Sequence, residues 1–202
     1  SRECFLPFFP EKIKARIQKI SKDPVHGTVW IATRGQGLFR YDGKTGKLLN
    51  IKNVSSIIWD LALDEKGNLY AATHQEGLAC FNKDGKLVSV YSSTGKGEKY
   101  ISDNGVKSVL YKNGVLWAGT WKGGLNRIDL RRGSAESFLS DRPLSYVPHL
   151  RVISLSSDNE FLLGTDEGVY VFNSVTRKMH LWDEKQPQKL SDRAVHSITV
   201  DR

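Results

Sequence analysis

A threonine preceded by a small residue recurs four times along this chain. It closes a short apolar run each time and stands three or four residues before a glycine: Ala32-Thr33 before Gly37, Ala72-Thr73 before Gly77, Gly119-Thr120 before Gly124, and Gly164-Thr165 before Gly168. The steps between the threonines are 40, 47 and 45 residues. After each glycine an apolar residue follows, Leu38, Leu78, Leu125 or Val169. Self-similarity at a period near 45 means one supersecondary unit repeated, each copy burying a face against the next. This excludes most folds before composition is considered.

The unit resolves into strands. Val29-Trp30-Ile31-Ala32-Thr33 and Val115-Leu116-Trp117-Ala118-Gly119-Thr120 are apolar, short and bounded by glycine. Such runs are too short for helices and read as strands buried on both faces. Upstream lies a strand patterned apolar, any, polar, apolar. It occurs at Ile17-Gln18-Lys19-Ile20, Ile58-Trp59-Asp60-Leu61 and Val106-Lys107-Ser108-Val109, and a fourth copy is read at Val152-Ile153-Ser154-Leu155, three residues before Asp158. Turns such as Asn113-Gly114 join these strands to the next ones. A third strand follows each glycine. A fourth includes Lys47-Leu48-Leu49, the run from Lys86 to Tyr91, Glu136-Ser137-Phe138-Leu139 and the run from Lys178 to Trp182. The expected fold is all-β: four-stranded antiparallel blades of a β-propeller, in repeats at about 15–55, 56–103, 104–149 and 150–193. The order of sizes fits. Space is tightest near a propeller axis, where the small residue belongs, and Trp30, Tyr70, Trp117 and Leu162 fill the wider gap between blades.

These repeats resemble the two-component regulator propeller family. The resemblance is carried by Gly27-Thr28-Val29-Trp30-Ile31-Ala32-Thr33, then Gly37-Leu38-Phe39-Arg40-Tyr41-Asp42 and Thr45-Gly46, and by the third copy from Leu116 to Asp129. The fourth copy departs most, with Leu162 in place of the aromatic and a turn one residue shorter. The resemblance covers residues 15–202. It implies a role as the extracytoplasmic, periplasmic sensor segment of a histidine kinase of Bacteroides type, with breakdown products of polysaccharides as signals.

Residues 195–201 match the first-strand pattern again, so a fifth repeat opens at 194–202, and residues 1–12 offer an outer strand of a preceding blade. The expected architecture is therefore four blades plus partial ones, an open arc of a larger ring. Its exposed apolar faces would meet neighbouring blades or, in a homodimer, a second copy.

Chemistry is sparse in the sequence. Cys4 and Cys80 make neither a disulfide framework nor a metal site. No two of the five histidines have metal-ligand spacing. No nucleophile elbow or phosphate-cradling loop appears, so no cofactor, metal or catalytic set is expected. The net charge of +8 comes from scattered residues without a long basic cluster. It does not point to nucleic acid or to direct membrane contact; it reads as a solvated surface or as steering of an anionic ligand. No apolar run is long enough for a membrane helix. Binding is better placed, on the turns between second and third strands, which share one face of a propeller and vary while the scaffold repeats. They supply Arg34, Gln36, His74, Gln75, Trp121, Lys122 and Asp166. The same turns carry Glu76 and Glu167, and the long inter-blade loops, residues 92–103 and 141–149, add Tyr100, Tyr146 and His149 as weaker candidates. Trp121 either stacks on a sugar beside cations that meet carboxylates or sulfates, or packs on a neighbouring blade loop. Three functions stay open: an oligosaccharide sensor, a propeller lyase using His74 and His196, and a protein-interaction scaffold.

Overall fold

In a computed structural model, residues 12–138, 149–182 and 194–200 are described, and strands of three to seven residues alternate with tight turns throughout them. The first sheet is β1 (Arg16–Lys22), β2 (Thr28–Arg34), β3 (Leu38–Asp42) and β4 (Lys47–Ile51). The second is β5 (Ile58–Leu63), β6 (Leu69–Thr73), β7 (Leu78–Phe81) and β8 (Leu87–Tyr91). The third is β9 (Val106–Lys112), β10 (Val115–Thr120), β11 (Leu125–Asp129) and β12 (Ser134–Phe138). The fourth is β13 (Leu150–Leu155), β14 (Glu160–Thr165), β15 (Val169–Asn173) and β16 (Met179–Leu181). Each is an antiparallel meander in chain order. The first strands β1, β5, β9 and β13 lie side by side in succession, so the sheets are propeller blades in an open, unclosed arrangement. Among the described residues the only helical element is a single 3-10 turn, Gly97–Lys99.

The cores lie between blades, as a repeat that cannot bury its face alone requires. Trp30 and Leu38 of the first blade pack with Ile58, Leu61, Leu69 and Phe81 of the second. Tyr70, Leu78 and Cys80 pack with Val106, Val109 and Leu116, and Trp117 and Leu125 pack with Ile153, Phe161 and Leu163. Fully burying each such aliphatic side chain contributes about 1.5–3 kcal/mol. Leu162, in the corresponding place of the fourth blade, is only half-buried. On the far side of the first blade Ile31, Phe39 and Leu48 are buried with Ile13 packed against them, whereas Ile17 and Ile20 of β1 are 46% and 56% exposed.

The small residue before each threonine stands against an inner strand. A Cβ on Gly119 would come within 3.1 Å of both Leu150 and Ile153. On Gly164 it would lie 2.5 Å from a Val152 methyl and 2.8 Å from Val195.

The threonines do more than pack. All four are fully buried. Thr33 Oγ1 donates to the Gly37 carbonyl at 2.8 Å and accepts from Gln36 N at 3.1 Å. Thr73 does the same with Gly77 and Glu76, Thr120 with Gly124 and Gly123, and Thr165 with Gly168 and Glu167. Each hydroxyl clamps the turn that carries the variable residues. Gly77 shows why glycine closes that turn: its φ is +81°, and a Cβ would overlap the Tyr91 carbonyl.

Two boundaries differ from the sequence reading. The fourth first-strand copy begins two residues earlier than Val152: Leu150 pairs with Thr165 as Ile58 pairs with Thr73. The turn position held by Asp64, whose N–H donates to Asn68, is held by Ser156, which donates to Glu160, and not by Asp158. Asp158 lies in the turn itself and is exposed. Residues 194–200 form no strand, although Val195 N donates to the Thr165 carbonyl at 2.8 Å. Cys4 and the outer strand expected within 1–12 fall almost wholly outside the described residues, as does Tyr146.

The clamp is testable by isosteric replacement. Thr120→Val leaves the buried Gly124 carbonyl and Gly123 N–H without the hydroxyl. It is expected to cost about 1–3 kcal/mol and lower the melting midpoint by several degrees, while Thr120→Ser loses much less. Calorimetry of both variants decides it; equal melting of Thr120→Val and wild type would leave packing as the threonine's whole role.

Candidate functional site

The inner strands carry one irregularity each, and it falls at the same place in every blade. Ile17 pairs with Thr33 and Lys19 with Ala32, so Gln18 has no partner across the ladder. Trp59 is passed over between Ile58 and Asp60, Lys107 between Val106 and Ser108, and Arg151 between Leu150 and Val152. These are β-bulges, which turn one side chain out of the regular alternation. All four of those side chains line one cavity of about 560 Å³ at the inner strands. His196 and Ser197 line it from the C-terminal segment, and Arg16, Lys19, Arg34 and Trp121 complete its cationic and aromatic lining.

Two indole rings flank it, with an ammonium between them. Lys107 Nζ stands 3.4 Å from the Trp59 ring centroid and 4.5 Å from that of Trp121. The Arg34 guanidinium lies 5.6 Å from the Trp59 ring and the Arg151 guanidinium 6.0 Å from the Trp121 ring. These are cation–π distances. Both indoles also meet an imidazole: His149 stacks on Trp121 with centroids 4.6 Å apart, and His74 meets Trp59 edge-on at 5.9 Å. Asp166 accepts from Arg151 and lies 2.9 Å from His149 Nδ1. Burial pushes the Asp166 carboxyl up, but the hydrogen bonds from Arg151 and His149 outweigh it and hold the group below the usual carboxylate range.

Below these groups a polar belt joins the blades. Lys19 Nζ reaches Asp60 at 3.5 Å. Asp60 Oδ2 accepts from Ser108 Oγ and Val109 N, both at 3.0 Å, and Ser108 Oγ accepts from Ile153 N at 3.2 Å. One connected path therefore runs through the inner strands of all four blades.

Of the residues expected from the turns, the structure brings Arg34 and Trp121 to the cavity wall, with Asp166 and His74 held behind it by Arg151 and Trp59. Gln36 points elsewhere: its Oε1 accepts from Lys14 N and Ala15 N at 2.7 Å, tying down the segment before β1. Gln75 and Lys122 are exposed and line no part of this cavity. Tyr100 also stays outside it. Trp59, Lys107 and Arg151, its most central groups, are on strands and not on turns. No cluster of ligands for a metal ion occurs among the described residues.

Burial pushes the Lys107 ammonium down to about 8, helped by repulsion from Arg151 and Arg34 and opposed by Asp166. Because the folded value lies below the ordinary 10.5, the cost of the charge is full below about pH 8 and is relieved as pH rises from 8 to 10.5. Discharging Lys107 removes a cation from two indole rings. Tryptophan emission is expected to change with a midpoint near pH 8 in the wild type and to lose that transition in Lys107→Met. An unaltered profile in the variant would dissociate the ammonium from the rings.

No family model and no curated protein matches the chain. Solved structures share its fold. The extracellular domain assigned to the one-component system BT4673 of Bacteroides thetaiotaomicron superposes with a TM-score of 0.69 at 19% identity, over 100% of this chain and 26% of that one. That of the hybrid two-component system BT3049 of the same organism gives 0.64 at 20% identity, over 81% of this chain and 23% of that one. The computationally designed Ika4 protein gives 0.61 at 14%, over 81% of this chain and 94% of that one. This chain thus spans about a quarter of the length of the two bacterial extracellular domains, and the likeness is one of fold.

Proposed function

We propose that this chain is a ligand-sensing segment from the extracellular or periplasmic part of a two-component sensor, and that its ligand is a small oligosaccharide held at the inner-strand cavity. The observation that carries the reading is the pair of indole rings, Trp59 and Trp121, on the wall of a cavity of about 560 Å³. A sugar ring presents apolar C–H faces that stack on an indole and a polar rim that suits arginine and lysine. The fold neighbours support the setting, since two of them are extracellular domains of bacterial signalling systems. Such a segment performs no bond chemistry. It works by binding one conformation of the blades better than another.

Titration calorimetry against a panel of neutral and acidic oligosaccharides tests this. At least one is expected to bind, and Trp121→Ala is expected to weaken it about tenfold, the loss of about 1–1.5 kcal/mol of stacking. Absence of binding across the panel, or binding indifferent to both Trp121→Ala and Trp59→Ala, would defeat the proposal.

One observation favours a lyase as the second reading: the imidazole–carboxylate pair of His149 and Asp166 stands beside Arg151, which also lies 3.4 Å from His196. A lyase would release unsaturated uronate from acidic oligosaccharides, visible by its ultraviolet absorbance, and would lose that activity in His196→Ala. Unchanged substrate after prolonged incubation with wild type removes the lyase reading.

A further inference from the structure

The cations around the cavity are not equivalent. Lys19 has Asp60 and Arg151 has Asp166. Arg16, Arg34 and Lys107 have no carboxylate within ion-pair distance among the described residues. Arg34 and Lys107 moreover share one ring, with their charged groups 5.6 Å and 3.4 Å from the Trp59 centroid. Two like charges over one half-buried indole repel each other, and the half-buried Lys107 ammonium is partly desolvated as well, an arrangement that a ring quadrupole alone does not balance. The Trp59 Nε1–H is also buried without a hydrogen-bond partner among the described residues. On the Trp121 side the balance is different, because Asp166 already neutralises Arg151 and His149 covers one face of the indole.

We infer that the two sides of the cavity are distinct subsites: Arg34 and Lys107, over Trp59, take one anionic oxygen group of the sugar, a carboxylate or a sulfate ester, while Trp121 takes an uncharged ring. This rests on the oligosaccharide reading above and adds the charge and the direction of the ligand. An anion at the first subsite supplies the missing counter-charge, and the guanidinium fork of Arg34 matches its paired oxygens. The same group placed on the Trp121 side would meet Arg151, whose charge Asp166 already offsets from behind the wall, so the orientation that brings the anion to Arg34 and Lys107 is the favoured one.

The experiment compares matched pairs by calorimetry: galacturonate with galactose, and glucose 6-sulfate with glucose. Within at least one pair the acidic member is expected to bind about tenfold or more tighter, less so at high salt. Which pair shows the larger ratio tells carboxylate from sulfate. Arg34→Gln and Lys107→Met, each checked by circular dichroism, are expected to bring the ratio toward one. Trp121→Ala is expected to weaken both members alike and leave the ratio standing. Equal binding of acidic and neutral members, or a ratio that survives both charge variants, overturns the subsite. If no sugar binds at all, the oligosaccharide reading fails by itself. Inorganic sulfate then decides the subsite: thermal stabilisation greater in wild type than in Lys107→Met retains it, and equal stabilisation removes it.

Discussion

The character of the axis depends on one extra residue in each inner strand. Side chains alternate between faces along a regular strand, so residues three apart point to opposite sides. Here Ile58 and Leu61 are three apart, yet both are buried in the same cluster between the first two blades. Val106 and Val109 share the next cluster, and Leu150 and Ile153 the one after. The bulge makes this possible: with Trp59, Lys107 and Arg151 taken out of the ladder, the flanking apolar residues are two ladder steps apart and face the same way. A broken stretch of ladder is offset by burying both apolar residues. The displaced side chains are left at the axis, where no neighbouring blade constrains what they are.

The threonine and its small neighbour hold the other half of the arrangement. Blades converge toward the inner strands, and the places of Gly119 and Gly164 have no room for even a methyl group without displacing Ile153 or Val152. The hydroxyl of the next residue then closes the turn by two hydrogen bonds inside the core. Scaffold and variable turn meet at that residue: what lies before Thr120 is fixed by packing, and Trp121 just after it is free to differ from Arg34, His74 and Asp166. Trp121 does both things that an indole there can do, stacking on His149, which stands just before β13 of the following blade, while also walling the cavity.

Strand order, blade count and the packing role of Trp30, Tyr70 and Trp117 were legible because they recur, and a period can be read without knowing what any one copy does. The threonine hydrogen bonds were not legible, since a threonine beside a glycine reads equally well as filling space. The most central groups were missed for a definite reason. The spacing apolar, any, polar, apolar reads as a plain strand motif, whereas in a strand of period two it is itself the mark of a bulge, and its "any" position is the one that lines the cavity. Arg151 was hidden further because Val152 and Asp158 imitate the motif two residues late. The turns yielded Arg34 and Trp121 because turn residues that vary stand out against a repeating frame. Gln36 varies too, but its amide is spent on the backbone of Lys14 and Ala15.

The polar belt along the cavity wall bears on how binding here is felt elsewhere. Lys19, Asp60 and Ser108 hold the same position in successive blades, one residue past the bulge; an ion pair joins Lys19 to Asp60, and hydrogen bonds join Asp60 to Ser108 and Ser108 to Ile153. Each member lines the cavity itself and sits next in sequence to the bulged residue of its strand, Gln18, Trp59 or Lys107. A ligand that draws Arg34 and Lys107 together acts on the first and third blades at once, while Asp60 on the second ties both to the same path. The individual blades are stiff, with buried faces and clamped turns, so strain of this kind falls on the angles between them. For a repeat array whose blades touch only their neighbours, a change in those angles adds up along the arc. That gives a ligand at the axis leverage on the ends without a hinge or a moving loop, provided that its affinity differs between the two blade arrangements.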